Sequence, residues 1–120
     1  RLGNAYFDAD RYEDAIRAYR RSLDIDPDNA GVWTDLGVMY RRSGQPEEAV
    51  RAFDRAVEVD PEHEISRFNK GVVLLHDLED LEGAVKAWEG LIEINPLATA
   101  PNGRPVMSLV EQFKEMEAAE

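Results

Sequence analysis

Between residues 30 and 61 the apolar positions keep a helical period and break it once. Trp33, Leu36, Gly37 and Tyr40 follow one another at intervals of three, one and three, which puts them on one helix face. Gly44 suits the left-handed position that ends a helix, and Pro46 suits the first turn of the next. Ala49, Phe53 and Ala56 then line one face of a second helix, which Pro61 closes. The pattern predicts two antiparallel helices. Gly37, Ala49 and Ala56 are small enough for close approach, while Trp33, Tyr40 and Phe53 fill the space between.

The turn that follows recurs. "DIDPDN", "EVDPEHE" and "EINPLA" place Pro27, Pro61 and Pro96 at intervals of 34 and 35 residues, the signature of a helical repeat. Together with the apolar faces, these residues resemble the tetratricopeptide repeat (TPR) pattern W-x2-L-G-x2-Y…A-x3-F…A…P, which the middle unit meets at every place. Leu2, Gly3, Tyr6, Ala15, Tyr19, Ser22 and Pro27 repeat it in a first, partial unit. Gly71, Leu74, Ala84, Trp88, Leu91 and Pro96 repeat it in a third. There Arg67 and Lys70 replace the expected aromatic and leucine, and "HDLEDLEGA" carries one extra residue. The resemblance implies an all-α fold, a right-handed α-solenoid of antiparallel helix hairpins with about seven helices. The TPR domain would span 1–96, with repeats at 1–29, 30–63 and 64–98.

"LATAPNGRP" is a Pro/Gly/Asn-rich connection. Beyond it Val106, Leu109, Val110 and Phe113 form one stripe, and Ser108 and Glu111 have capping-box spacing. Residues 97–120 therefore read as a linker and a C-terminal helix capping the last hairpin, as repeat arrays require. The chain opens "RLGNAY", without Met or a signal-peptide pattern, and so reads as an excised segment.

Charge narrows the partners. Twenty-five acidic residues face 14 basic ones, a net charge of -11. Such a surface repels phosphate backbones and anionic headgroups, so nucleic acid and membrane insertion are not expected. Eleven of the basic residues are Arg and three are Lys, a lysine-poor acidic composition that suggests a salt-adapted or GC-rich source. On that reading the melting temperature rises from low to molar KCl, and an unchanged value counts against it.

Candidate chemistry is sparse. Asp24, Asp26, Asp28 and Asp35 are spaced nearly as an EF-hand loop spaces its ligands. However, Asn29 stands where that loop needs Gly, and Asp35 replaces the bidentate Glu. His63 and His76 have no partner at metal spacing and read as solvated side chains. Cysteine is absent, and no nucleophile elbow or phosphate loop occurs. Acid pairs Glu47–Glu48 and Glu79–Asp80 read as favourable charge at helix starts. Glu13–Arg17, Arg20–Asp24 and Glu47–Arg51 read as solvated pairs four apart. No enzyme activity, cofactor or metal is expected.

What remains is binding. The resemblance implies a concave groove formed by the first helix of each unit. It would be lined by Asn4, Phe7 and Asp8, then by Thr34, Asp35, Val38, Arg41 and Arg42, then by Phe68, Asn69, Val72, Leu75 and His76. Arg41 and Arg42 would fork onto a carboxylate. Ile65, Phe68, Val72 and Leu75 have two readings, a buried core stripe or an apolar groove. TPR domains that clamp a chaperone C-terminal carboxylate use Lys, Asn, Asn, Lys and Arg. Here Asn4 keeps the first Asn, but Asp35, Ile65 and Asn69 replace the second Asn, the second Lys and the Arg, which disfavours that ligand. The expected function is a module binding a peptide or helical segment of an unidentified protein. The alternative is a structural spacer. Either would be a monomer or self-associate weakly through its repeat ends.

Overall fold

The computed structural model describes residues 2–119, with side chains from Arg11 onward. Six helices are present among them: α1 (Leu2–Ile25), α2 (Ala30–Arg42), α3 (Pro46–Val59), α4 (Glu64–His76), α5 (Leu81–Ile94) and α6 (Val106–Ala119). They fall into two compact units, residues 1–61 and 62–120. The count is six rather than about seven because the first repeat runs as one helix. "FDADRYEDA" offers no Gly or Pro to interrupt α1, where "RRSGQPEEA" separates α2 from α3.

In unit 1, α2 packs between α1 and α3. Ser43 ends α2 and Gly44 follows at φ +83°. The Gln45 N–H donates to Tyr40 O at 2.8 Å and the Gly44 N–H to Arg41 O at 3.1 Å, a Schellman closure. Pro46 opens α3, and Glu47 and Glu48 occupy its first turn. Leu36, Ala52, Ile16 and Leu23 form the core, flanked by Tyr19, Trp33 and Tyr40. The close approach of α2 and α3 centres on Gly37, where a methyl group would lie 2.5 Å from the Phe53 ring.

The acidic turn before α2 is a structural device. Asp26 Oδ1 accepts from the Asp28 N–H, and Asn29 Oδ1 accepts from the Val32 N–H, capping α2. The Trp33 indole N–H donates to Pro27 O at 2.7 Å, tying the helix to its turn.

Unit 2 repeats the plan with different side chains. Gly71 faces Trp88 as Gly37 faces Phe53, with a methyl at Gly71 only 2.2 Å from the indole nitrogen. So α4 keeps the repeat's register although Arg67 and Lys70 stand at two of its usual apolar places. Ser66, Gly71, Val73 and Leu74 are its buried residues. The inserted residue falls in the turn 77–80, where Glu79 adopts φ +54° and Asp80 Oδ1 caps α5 through the Gly83 N–H.

Three local expectations are corrected. His63 is a half-buried N-cap whose Nδ1 accepts from the Ser66 N–H at 3.3 Å, taking the role that the Asn29 amide oxygen has at the start of α2. The Ser108–Glu111 capping box does not form. The Val106 N–H donates to Ala98 O and Thr99 bridges Pro105, which starts α6 two residues before Ser108. Arg17 and Arg51 pair three residues back, with Asp14 and Glu48, instead of four.

Candidate functional site

The expected groove residues lie in both units. On α2, Thr34 is buried, with its hydroxyl donating to Ala30 O at 2.8 Å, and so offers no binding surface. Val38 is half-buried, while Asp35, Arg41 and Arg42 are exposed. The two arginines occupy the last turn of α2, where cations complement the helix dipole. Asn4, Phe7 and Asp8 lie outside the residues whose side chains are described.

On α4 the apolar stripe opens onto a cleft. Phe68, Asn69, Val72 and Leu75 are half-buried, His76 is exposed and Ile65 is 62% exposed. Two adjacent chambers run along them. One, of about 430 Å³, is bounded by Glu64, Ile65, Phe68 and Asn69 of α4, Leu91 of α5, and the stretch Ala98 to Pro101 with Gly103. The other, of about 290 Å³, lies between Phe68, Val72, Leu75 and His76 of α4 and Leu109 and Phe113 of α6, with Trp88, Ala100, Pro101 and Asn102 completing it. Phe68, Ala100 and Pro101 belong to both.

The floor is aromatic. The Phe68 and Trp88 rings stack at 6.1 Å and 24°, and Phe113 meets Trp88 at 5.7 Å. The Trp88 indole N–H donates to Phe68 O at 3.1 Å, fixing the ring. The stripe thus divides: Phe68 is partly core, whereas Ile65 and Leu75 edge open space.

The opposite wall is the connection between α5 and α6. It folds back as a tight hairpin, in which the Gly103 N–H donates to Ala100 O and the Ala100 N–H to Arg104 O, both at 2.8 Å. Gly103 sits at φ +86° and Pro101 begins the turn. Ala98 and Ala100 point inward and are buried. The sequence pattern brought out Phe68, Asn69, Val72, Leu75 and His76 but missed this wall and the α6 contributions, Leu109 and Phe113. The signal was there in the Pro101-Asn102-Gly103 turn, which reverses the chain.

A third cavity, of about 390 Å³ in unit 1, has Arg20, Arg51, Arg55, Asp24, Trp33 and Tyr40 among its walls. Its charges are largely engaged with their own surroundings. Arg51 pairs with Glu48, and Arg55 pairs with Glu58 at 2.7 Å while lying 5.3 Å over the Trp33 ring. Among the described residues no group of three or more His, Asp or Glu is placed to hold a metal ion. No described helix is long and apolar enough to cross a membrane.

Helix hairpins with a glycine facing an aromatic ring across each define a helical-repeat protein. The tetratricopeptide repeat family model matches residues 2–70, and the chain belongs to that family. Its fold resembles TPR solenoid structures. The first TPR of Spaghetti (RPAP3), bound to the HSP90 peptide SRMEEVD, aligns with a TM-score of 0.74 at 24% identity, over 98% of this chain and 90% of that one. The Sgt2 TPR domain from Aspergillus fumigatus aligns at 0.73 and 30% identity, over 98% and 76%. The Yersinia enterocolitica type III secretion translocator chaperone SycD aligns at 0.74 and 20% identity, over 98% and 81%. No curated protein sequence matches the chain.

Proposed function

We propose that this chain is a protein-interaction module whose unit 2 cleft receives apolar side chains from a segment of a partner protein. The observation that carries the reading is the pair of adjacent, largely apolar chambers bordered by α4, α6 and the 98–105 hairpin, with Phe68, Trp88 and Phe113 in their walls. Its chambers are at the small end of ligand clefts, about 300–1,000 Å³. They suit individual side chains of a segment better than a buried small molecule. Membership of the TPR family, and a structural neighbour bound to a peptide, support the same class of function. Arg41 and Arg42, exposed at the end of α2, form a second contact surface for a carboxylate of the partner. In this reading α6 serves both as the cap of the last hairpin and as a wall of the cleft.

The neighbour's own ligand does not transfer with the fold. Asp35 stands exposed where the chaperone clamp resemblance implies Asn, and Ile65 stands where it implies Lys. An aspartate beside a terminal carboxylate repels it.

A peptide-display selection tests the proposal, with an Ile65→Ser/Leu75→Ser variant screened in parallel. Both side chains edge the cleft rather than fill the core, so the variant should fold. A consensus captured by the parent and bound about tenfold or more weakly by the variant is expected, since the two lost apolar contacts together cost about 1.4 kcal/mol or more. A consensus bound equally by both proteins would overturn the cleft as the site.

A further inference from the structure

We infer that the segment received by the unit 2 cleft is basic and amphipathic, with apolar side chains in the two chambers and Lys or Arg around them. The inference rests on the cleft reading above and adds the partner's charge.

Three observations carry it. First, no lysine or arginine borders either chamber, and Glu64 is the lining residue with a formal charge at neutral pH. Its carboxylate accepts from the Asn95 side-chain amide at 3.0 Å, which holds it at the mouth of the larger chamber. Second, residues 62–120 contain twelve acidic and five basic side chains, and the basic ones are already engaged. Lys86 bonds Glu82 at 3.1 Å and so holds its proton more tightly than a free lysine. Lys114 bonds Glu89 at 3.0 Å, Arg104 donates to Gln112, and Arg67 and Lys70 have interactions of their own. By contrast Glu93, Glu111 and Glu115 are exposed. The charge left over in this unit is negative.

Third, the apolar floor suits a cationic segment. Phe68 and Phe113 are half-buried, so part of each ring faces the cleft. Aromatic faces attract Lys and Arg, whose methylene stems also cover apolar surface. A second copy of this chain is a poor occupant by the same argument, since it brings the same net charge of -11.

Two synthetic helical peptides provide the test, identical in their Leu and Phe positions and carrying Lys in one and Glu in the other at the remaining places. Binding is measured by fluorescence anisotropy at about 50 mM and about 500 mM KCl, where the Debye length falls from over 10 Å to under 5 Å. The Lys peptide is expected to bind at least about tenfold more tightly at low salt, and to lose most of that advantage at high salt. Glu64→Gln keeps an acceptor for Asn95 and should reduce the preference about two- to fivefold. Ile65→Ser/Leu75→Ser should weaken the Lys peptide about tenfold. If the Glu peptide binds as well as the Lys peptide and the double variant weakens both, the charge inference fails and the cleft stands. If the Lys peptide binds parent and double variant alike, attraction is to the acidic surface at large, and both the inference and the cleft reading fail.

Discussion

Trp88→Ala is expected to destabilise unit 2 by about 3–5 kcal/mol, the range for truncating a buried aromatic side chain. Trp88 is 2% exposed and is the joint of its unit. Its ring stacks on Phe68 of α4, meets Phe113 of α6, lies against Gly71 and donates to Phe68 O. Removing it leaves a cavity beneath three helices and takes away the second hydrogen bond to the Phe68 carbonyl, and neighbouring side chains cannot collapse into so large a space. With a urea m-value of about 1–3 kcal/mol per molar, the midpoint should fall by about 1–5 M. Trp33 remains to report on unit 1 by fluorescence, while circular dichroism follows the helices of both units. Trp88→Phe loses the indole donor but retains the aromatic contacts, and so should fall between the two. A loss under about 1 kcal/mol for Trp88→Ala would mean that unit 2 is held by something other than this joint.

What was legible in the sequence follows from what a one-dimensional pattern encodes. The α2–α3 hairpin was readable in detail, because its face, its left-handed glycine and its N1 proline are all local signals. The α4–α5 hairpin was readable through Gly71 and Trp88, although Arg67 and Lys70 obscured the apolar stripe. Their long stems tolerate partial burial, so the register survives the charges. The boundaries set by contacts distant in sequence were less visible. Ser108 and Glu111 satisfy a local capping motif that does not form, while the helix does start at Val106, the first residue of its apolar stripe, held by the hydrogen bond from Val106 to Ala98. Likewise Phe68, Val72 and Leu75 form a stripe that suits either core or groove, and spacing alone does not choose. The 98–105 hairpin and α6 border the stripe at Phe68, Val72 and Leu75, while Ile65 at its start stays exposed. The expected line of groove residues also included Thr34, whose hydroxyl is instead turned onto its own helix.

The glycine that lets α2 meet α3 gives the second large effect. In a solvated helix Gly→Ala stabilises by about 1 kcal/mol, because alanine loses less backbone entropy. At Gly37 the sign should reverse. The added methyl would lie 2.5 Å, 2.7 Å and 2.9 Å from three carbons of the Phe53 ring, distances that non-bonded carbons do not tolerate. Phe53 is 1% exposed, so its ring has nowhere to swing, and the helices must separate or the ring must leave its rotamer. Overpacking of this kind costs about 1–3 kcal/mol and occasionally more, enough to outweigh the propensity gain. Gly37→Ala is therefore expected to lower the melting temperature of unit 1. Shortening the opposing side chain separates this account from a general intolerance of the site. Phe53→Leu alone costs stability by underfilling the core, but combined with Gly37→Ala the new methyl occupies part of the space the ring vacates. The double variant should then be more stable than the sum of the single losses by about 0.5–3 kcal/mol, the coupling seen between residues in contact. Strict additivity in that cycle would mean that Gly37 is required by the α2 backbone itself, and not by the ring that faces it.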